Sequence, residues 1–125
     1  MGIPLFVYGT LLSGAENHEK VEPYVIRIRS GKVKGRLVDA GGYPALLLDT
    51  IETLVVGEWI DLKHGALPVL DEFEGYYGVG KVNDYERVWL RDAEIDEEGW
   101  VYIWRSDRGC KSIQEGDWLK HTHGF

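Results

Sequence analysis

The sequence predicts a mixed α+β fold, a small β-barrel with a cavity at one end. Three observations point there: strand-like runs outnumber helical ones, the runs are short, and one amphipathic helix is inserted between them. At 125 residues the chain is long enough to bury a core without disulfide staples, and a single linker-free domain over 1–125 is expected.

The first run, Ile3 to Tyr8, is rich in β-branched and aromatic residues and reads as a strand. Gly9-Thr10 stops it before Leu11-Leu12-Ser13-Gly14. A loop of such small residues lets backbone N–H groups approach a ligand, and it also serves as an ordinary strand-to-helix turn. Gly9 and Gly14 match neither the dinucleotide fingerprint nor the P-loop. Ala15 to Val21 suits one or two helical turns, broken near Pro23. Tyr24 to Arg29 suits a strand in which Arg27 and Arg29 are solvated edge charges. Gly31 then punctuates, and Lys32 to Asp39 reads as a strand entering the Ala40-Gly41-Gly42-Tyr43-Pro44 turn. Ala45 to Asp49 and Leu54 to Leu62 follow as strands, the second with the alternation of a half-exposed barrel wall.

The helix spans residues 67–74. Leu67, Val69, Leu70 and Phe73 fan across one apolar face, and at about 100° per residue Glu74 falls between Leu67 and Leu70, with Asp71 on the flank and Glu72 opposite. Pro68 suits the first turn and Gly75 the left-handed residue just past the end, so Glu74 occupies the last turn, where the helix dipole disfavours negative charge. A carboxylate placed there and partly desolvated has a raised pKa, the preparation for proton transfer near neutrality. The plainer alternative is a surface helix whose final Glu reaches into water.

A long connection of Tyr76, Tyr77, Gly78, Gly80, Asn83 and Asp84 comes next, either a lid over a site or a surface excursion. Tyr85 to Arg91 reads as a strand, residues 92–99 as an acidic, solvated hairpin tip, and Trp100 to Trp104 as the clearest strand of the chain. Its aromatics line a cavity while Val101 and Ile103 face the core, or the reverse.

Fourteen basic against twenty-one acidic residues give a net charge of -7, which argues against nucleic acid and against an anionic membrane surface as partners. Cys110 is alone, so neither a disulfide nor a zinc or CxxC cluster can form within the chain, and a cytoplasmic location fits best. His121 and His123 lack a third ligand at metal-site spacing, so no metal site is assigned. His18 and His64 read as surface or packing residues.

The order of these features resembles the γ-glutamylcyclotransferase-like family, which includes γ-glutamylamine cyclotransferases and the plant avirulence-induced-gene proteins. Phe6-Val7-Tyr8-Gly9-Thr10-Leu11-Leu12 is similar to the family's N-terminal substrate loop, and Gly35-Arg36-Leu37 with Gly42-Tyr43-Pro44 to its second strand and turn. Val56-Gly57-Glu58-Trp59, Leu70-Asp71-Glu72-Phe73-Glu74-Gly75-Tyr76, Tyr85-Glu86-Arg87 and the Trp100–Trp104 strand continue the match.

The resemblance implies a small β-barrel with a few short flanking helices. It implies Glu74 as the catalytic residue, Tyr8, Gly9, Thr10 and Leu11 as the loop holding the γ-glutamyl group, and Tyr85 and Tyr102 as aromatics of the substrate site. The implied reaction converts a small-molecule γ-glutamyl amine or amide to 5-oxoproline and a free amine, with no metal or organic cofactor. Because the substrate's own α-amine is the nucleophile, no Ser–His or Cys–His pair is needed. The leaving amine stays open among a free amino acid, a lysine ε-amine, a polyamine and a biosynthetic intermediate, since the residues that choose it are expected in the 76–84 loop. A non-catalytic binding or interaction module on the same fold is the alternative.

Overall fold

The computed structural model describes residues 2–123. Five strands, β1 (Ile3–Val7), β2 (Val25–Lys34), β5 (Leu54–Leu62), β6 (Glu86–Arg91) and β7 (Glu98–Ile103), form one sheet in the order β2-β5-β1-β7-β6. β1 runs antiparallel to β5, from Ile3 opposite Leu62 to Val7 opposite Glu58, and parallel to β7. Strands β3 (Arg36–Asp39), β4 (Pro44–Leu47) and β8 (Lys111–Ile113) form a second, antiparallel sheet in the order β4-β3-β8. Helix α1 (Ala66–Glu74) follows β5, α2 (Trp118–His123) follows β8, and two single 3₁₀ turns, His18–Lys20 and Glu22–Tyr24, precede β2.

The apolar run at the start of the chain becomes the central strand because both of its faces find a core. Leu5 and Val7 pack with Ile60, Leu62 and Leu70 on one side, while Phe6 packs with Trp59, Val101 and Ile103 on the other. Val101 and Ile103 therefore face the core, and of the Trp100–Trp104 aromatics Tyr102 is the one that reaches the cavity.

The expected mixed architecture is present, but the barrel is not closed by a continuous ladder. The edge strands β2 and β6 are instead brought together by the turn between β6 and β7, which folds back onto β2. Ala93 N–H donates to the Lys32 carbonyl at 2.8 Å, the Asp92 carboxylate accepts from Lys32 N–H at 2.9 Å, and Arg29 pairs with Glu97. The second sheet is stitched to the first where Trp104 N–H donates to the Leu46 carbonyl at 3.0 Å.

Three local expectations change. Gly31 does not break the chain: β2 runs through it, because the Trp59 indole lies where a Cβ would stand, 2.3 Å from the ring. Arg29 is not a solvated charge, since it also meets Asp61 at 3.1 Å and is mostly covered. Nor is the hairpin tip merely solvated, because Asp92 also accepts from the Trp59 indole N–H at 2.8 Å and from its own turn at Glu94 and Ile95.

Candidate active site

A cavity of about 270 Å³ opens where the end of β1, the start of β4 and the end of α1 converge. All seven residues singled out in the sequence, Tyr8, Gly9, Thr10, Leu11, Glu74, Tyr85 and Tyr102, line it. Its floor is buried, with Phe6, Val7, Tyr8, Leu11, Pro44, Tyr85 and Tyr102 nearly without solvent exposure. Its rim is open, formed by Glu16, Gly42, Tyr43, Phe73 and Asp84.

The loop after β1 is bent by its own backbone bonds. Leu12 N–H donates to the Gly9 carbonyl at 3.1 Å and Asn17 N–H to the Thr10 carbonyl at 2.8 Å. His18 Nδ1 donates to the Leu11 carbonyl at 2.8 Å, and Ser13 N–H donates to Glu58 Oε1 at 2.8 Å. The first three of these bonds use the carbonyls of Gly9, Thr10 and Leu11. The N–H groups of Gly9, Thr10 and Leu11 have no protein acceptor among the described residues. Gly9 is required here by packing, since a Cβ would come 2.4 Å from Pro44 Cγ. His18, read from sequence as a packing residue, is a strut of this bend.

Helix α1 delivers Glu74 as its last residue. Gly75 ends the helix in the left-handed region at φ 68°, with Tyr76 N–H donating back to the Asp71 carbonyl at 2.8 Å, a glycine-capped C-terminus. The chain then returns beside the helix end: Asp84 N–H donates to the Gly75 carbonyl at 2.9 Å and Tyr85 N–H to the Glu74 carbonyl at 3.3 Å. Two acidic side chains are thereby held close together. Crowding by the surrounding protein is the larger cause, and the Asp84 charge the smaller, of a Glu74 pKa raised to about 7. The apolar face of α1 is narrower than the wheel suggests, as only Ala66 and Leu70 are fully buried. Val69 is exposed, and Phe73 turns to the rim, where Lys20 Nζ lies 5.7 Å above its ring.

The three tyrosines contribute ring faces, because each hydroxyl is already engaged. Tyr8 donates to the Tyr102 carbonyl at 2.6 Å and accepts from Leu46 N–H at 3.3 Å, while Tyr85 donates to the Pro44 carbonyl at 2.8 Å. Tyr102 donates to Asp71 Oδ1 at 2.8 Å, and Arg87 steadies that carboxylate from 3.5 Å while stacking 4.5 Å from the Trp100 ring. Burial drives all three phenols well above their ordinary pKa, so they stay protonated at neutral pH. Asp71, on the flank of the helix, is the anchor of the Tyr102 wall.

The 76–84 connection contributes less than a lid. Tyr77, Val79 and Val82 point to solvent, and the segment is tied to itself by Asn83, which accepts from Tyr77 N–H at 2.6 Å and donates to the Gly78 carbonyl at 2.9 Å. Only Asp84 of that loop lines the cavity. The rim residues Glu16, Asn17, Tyr43 and Phe73 come from other segments and were not singled out, as nothing local marks them. Among the described residues no group of three His, Cys, Asp or Glu side chains is placed to hold a metal ion, and His121 pairs with Asp39 at 2.9 Å. No helix among them is long and apolar enough to cross a membrane.

Comparison with known proteins supplies the context for this geometry. The family model described as "Gamma-glutamyl cyclotransferase, AIG2-like" matches residues 5–120, a span that includes the β1 loop and Glu74. The gamma-L-glutamyl-butirosin B gamma-glutamyl cyclotransferase of Niallia circulans is 35% identical over 132 residues, covering 97% of this chain and 81% of that protein. Among solved structures, an AIG2-like protein from mouse is similar with a TM-score of 0.68 and 26% identity over 82% of this chain and 77% of its own. YkqA from Bacillus subtilis is similar with a TM-score of 0.75 and 25% identity, covering 98% of this chain but 41% of that longer one. A cavity joining a bent glycine loop to a helix-terminal glutamate thus sits in a chain matched almost from end to end, and the chain belongs to the γ-glutamyl cyclotransferase, AIG2-like family of enzymes.

Proposed function

We propose that the chain cleaves a γ-glutamyl amine or amide by attack of the substrate's own α-amine on its γ-carbonyl, giving 5-oxoproline and a free amine, with Glu74 as the proton carrier. The observation that supports this reading is the meeting in one cavity of a carboxyl whose pKa is raised to about 7 with three backbone N–H groups that have no protein acceptor among the described residues.

The chemistry needs a proton moved twice. An α-ammonium cannot attack, and α-amines titrate near roughly 8. Passing its proton to a carboxylate of ordinary pKa, 4.5, is uphill by roughly 5 kcal/mol; passing it to one at about 7 costs only roughly 1.4 kcal/mol. Once the C–N bond to the ring has formed, the protonated Glu74 hands its proton to the departing nitrogen, which then does not leave as an anion. Of the three ammonium protons, one remains as the lactam N–H and two finish on the amine, which departs as an alkylammonium. The Gly9, Thr10 and Leu11 N–H groups face the negative charge of the substrate, and the aromatic walls fold its flexible chain toward the roughly 3–3.5 Å approach that ring closure requires.

The test is turnover of a panel of γ-glutamyl amides, with 5-oxoproline and released amine followed by mass spectrometry. The Glu74→Gln variant is expected to keep the wild-type circular dichroism spectrum and lose at least roughly 10²-fold in kcat. Undiminished turnover in that variant would remove Glu74 from the mechanism. Binding of γ-glutamyl compounds by wild type with no 5-oxoproline formed would favour a binding module instead.

A further inference from the structure

The turn between β3 and β4 builds one side of the cavity, from Gly42 and Tyr43 at the rim to Pro44 at the floor. Packing does not fix its shape. Gly41 and Gly42 both adopt positive φ, 97° and 115°, and a Cβ built on either would meet no atom within 4 Å. Glycine has the most conformational freedom to lose, so two in succession in open space depend on hydrogen bonds for their conformation. Ala40 N–H donates to the Tyr43 carbonyl at 2.9 Å, and Asp39 Oδ1 accepts from Gly41 N–H at 2.8 Å and Gly42 N–H at 3.4 Å. The second oxygen, Oδ2, is held from outside the hairpin by His121 Nε2 at 2.9 Å. An ionised carboxylate only accepts, so Nε2 carries the hydrogen. The His121 bond is the largest cause, and the Gly41 bond the next, of an Asp39 pKa held below the ordinary carboxylate value. His121 stands on a fixed base. Its ring lies 5.5 Å from that of Trp118, which is buried in the same core cluster as Phe6 and Tyr8, and Asp117 accepts from Lys120 N–H at 3.1 Å at the start of α2.

From this chain of contacts we infer that Asp39 and His121 are positioning residues of the active site: α2, through His121, orients the Asp39 carboxylate, and the carboxylate holds the Gly42–Pro44 wall against which the substrate is folded. The inference rests on the reading of the cavity as the γ-glutamyl site given above. Neither residue lines the cavity, so neither touches the reacting atoms. Loosening the wall weakens the ground state and the transition state alike, which raises KM and leaves kcat and the proton chemistry of Glu74 in place.

The test compares His121→Ala with His121→Gln, whose side-chain amide restores an N–H donor toward Asp39. His121 is partly exposed, so the alanine leaves no buried cavity. Backbone order parameters at Gly41 and Gly42, from ¹⁵N relaxation of the free proteins, are expected to fall in His121→Ala from the rigid range of roughly 0.85 toward roughly 0.6, and to recover in His121→Gln. With a γ-glutamyl amide that the wild type turns over, KM is expected to rise roughly fivefold in His121→Ala while kcat stays within roughly twofold, and His121→Gln is expected to regain most of the KM. The acid limb of kcat/KM is expected to stay near 7 in both variants. Unchanged order parameters at the two glycines, a KM that the glutamine does not regain, or a kcat that falls in step with melting temperature overturns the positioning role and leaves the cyclotransferase reading intact. Absence of 5-oxoproline from the whole amide panel with wild-type enzyme overturns both.

Discussion

A carboxyl held at about 7 by burial costs the fold stability whenever it is charged, and that cost separates Glu74 from the surface acids. Its folded-state pKa lies above the ordinary 4.5, so the penalty is absent below about 4.5, grows as pH rises, and is complete above about 7. Its full size is roughly 1–3 kcal/mol, the lower end allowing for the part of Glu74 open to the cavity. Glu74→Gln is therefore expected to raise the melting temperature at pH 8 and leave it unchanged near pH 4, in the same protein that has lost turnover. An equal change at both pH values would show that Glu74 is not desolvated. The second cause is separable as well. Asp84→Asn removes the neighbouring charge, lowers the Glu74 pKa, and moves the acid limb of kcat/KM from near 7 to lower pH.

At the scale of elements, the loop after β1 and the C-terminus of α1 are each shaped by one glycine, for different reasons. Gly75 is needed for its positive φ at the helix end, a requirement visible in the sequence because a glycine directly after a periodic apolar run marks a C-terminus. Gly9 is needed because Pro44 of β4 lies against it, a contact between residues 35 positions apart that no local pattern carries. Gly9→Ala must push the loop or Pro44 aside, disturbing the orientation of the Thr10 and Leu11 N–H groups. A loss of roughly 10²-fold in kcat/KM with only a small change in melting temperature is expected, by steady-state kinetics and thermal melts on the same preparation. The width of the α1 apolar face shows where periodicity stops short. Phe73 lies on the apolar side of the wheel, but the space it faces is the cavity mouth rather than the core, so it ends exposed beneath Lys20.

Across the whole molecule, the unclosed sheet depends on Asp92. Placed in the β6–β7 turn, its carboxylate accepts from Lys32 N–H on one edge strand, the Trp59 indole and two N–H groups of its own turn, and so joins the two edges of the five-stranded sheet. Burial alone would raise its pKa; the bonds to its charged form outweigh this and hold it below the ordinary carboxylate value. Asp92→Ala leaves the Trp59 and Lys32 donors without their partner and is expected to cost roughly 3 kcal/mol, or about 10 °C in melting temperature. Asp96→Ala, four residues on and fully in solvent beside Arg91, is expected to change stability by no more than about 0.5 kcal/mol.

What the sequence by itself determined is whatever rests on neighbours along the chain: the strand at Leu54–Leu62, the central β1 run, the end of α1 at Gly75, and the family resemblance carried by an ordered set of short motifs. The convergence of Tyr8, Glu74, Tyr85 and Tyr102 was legible only through that resemblance. Tertiary structure alone decided that Asp84 returns beside Glu74, that Gly31 carries an indole, that Asp92 ties two sheet edges together, and that Glu16, Tyr43 and Phe73 make the rim. Local pattern reports the period of a residue's own element. The charge, burial and pKa of a side chain are set by whatever distant segment packs against it, and that is information only the folded chain contains.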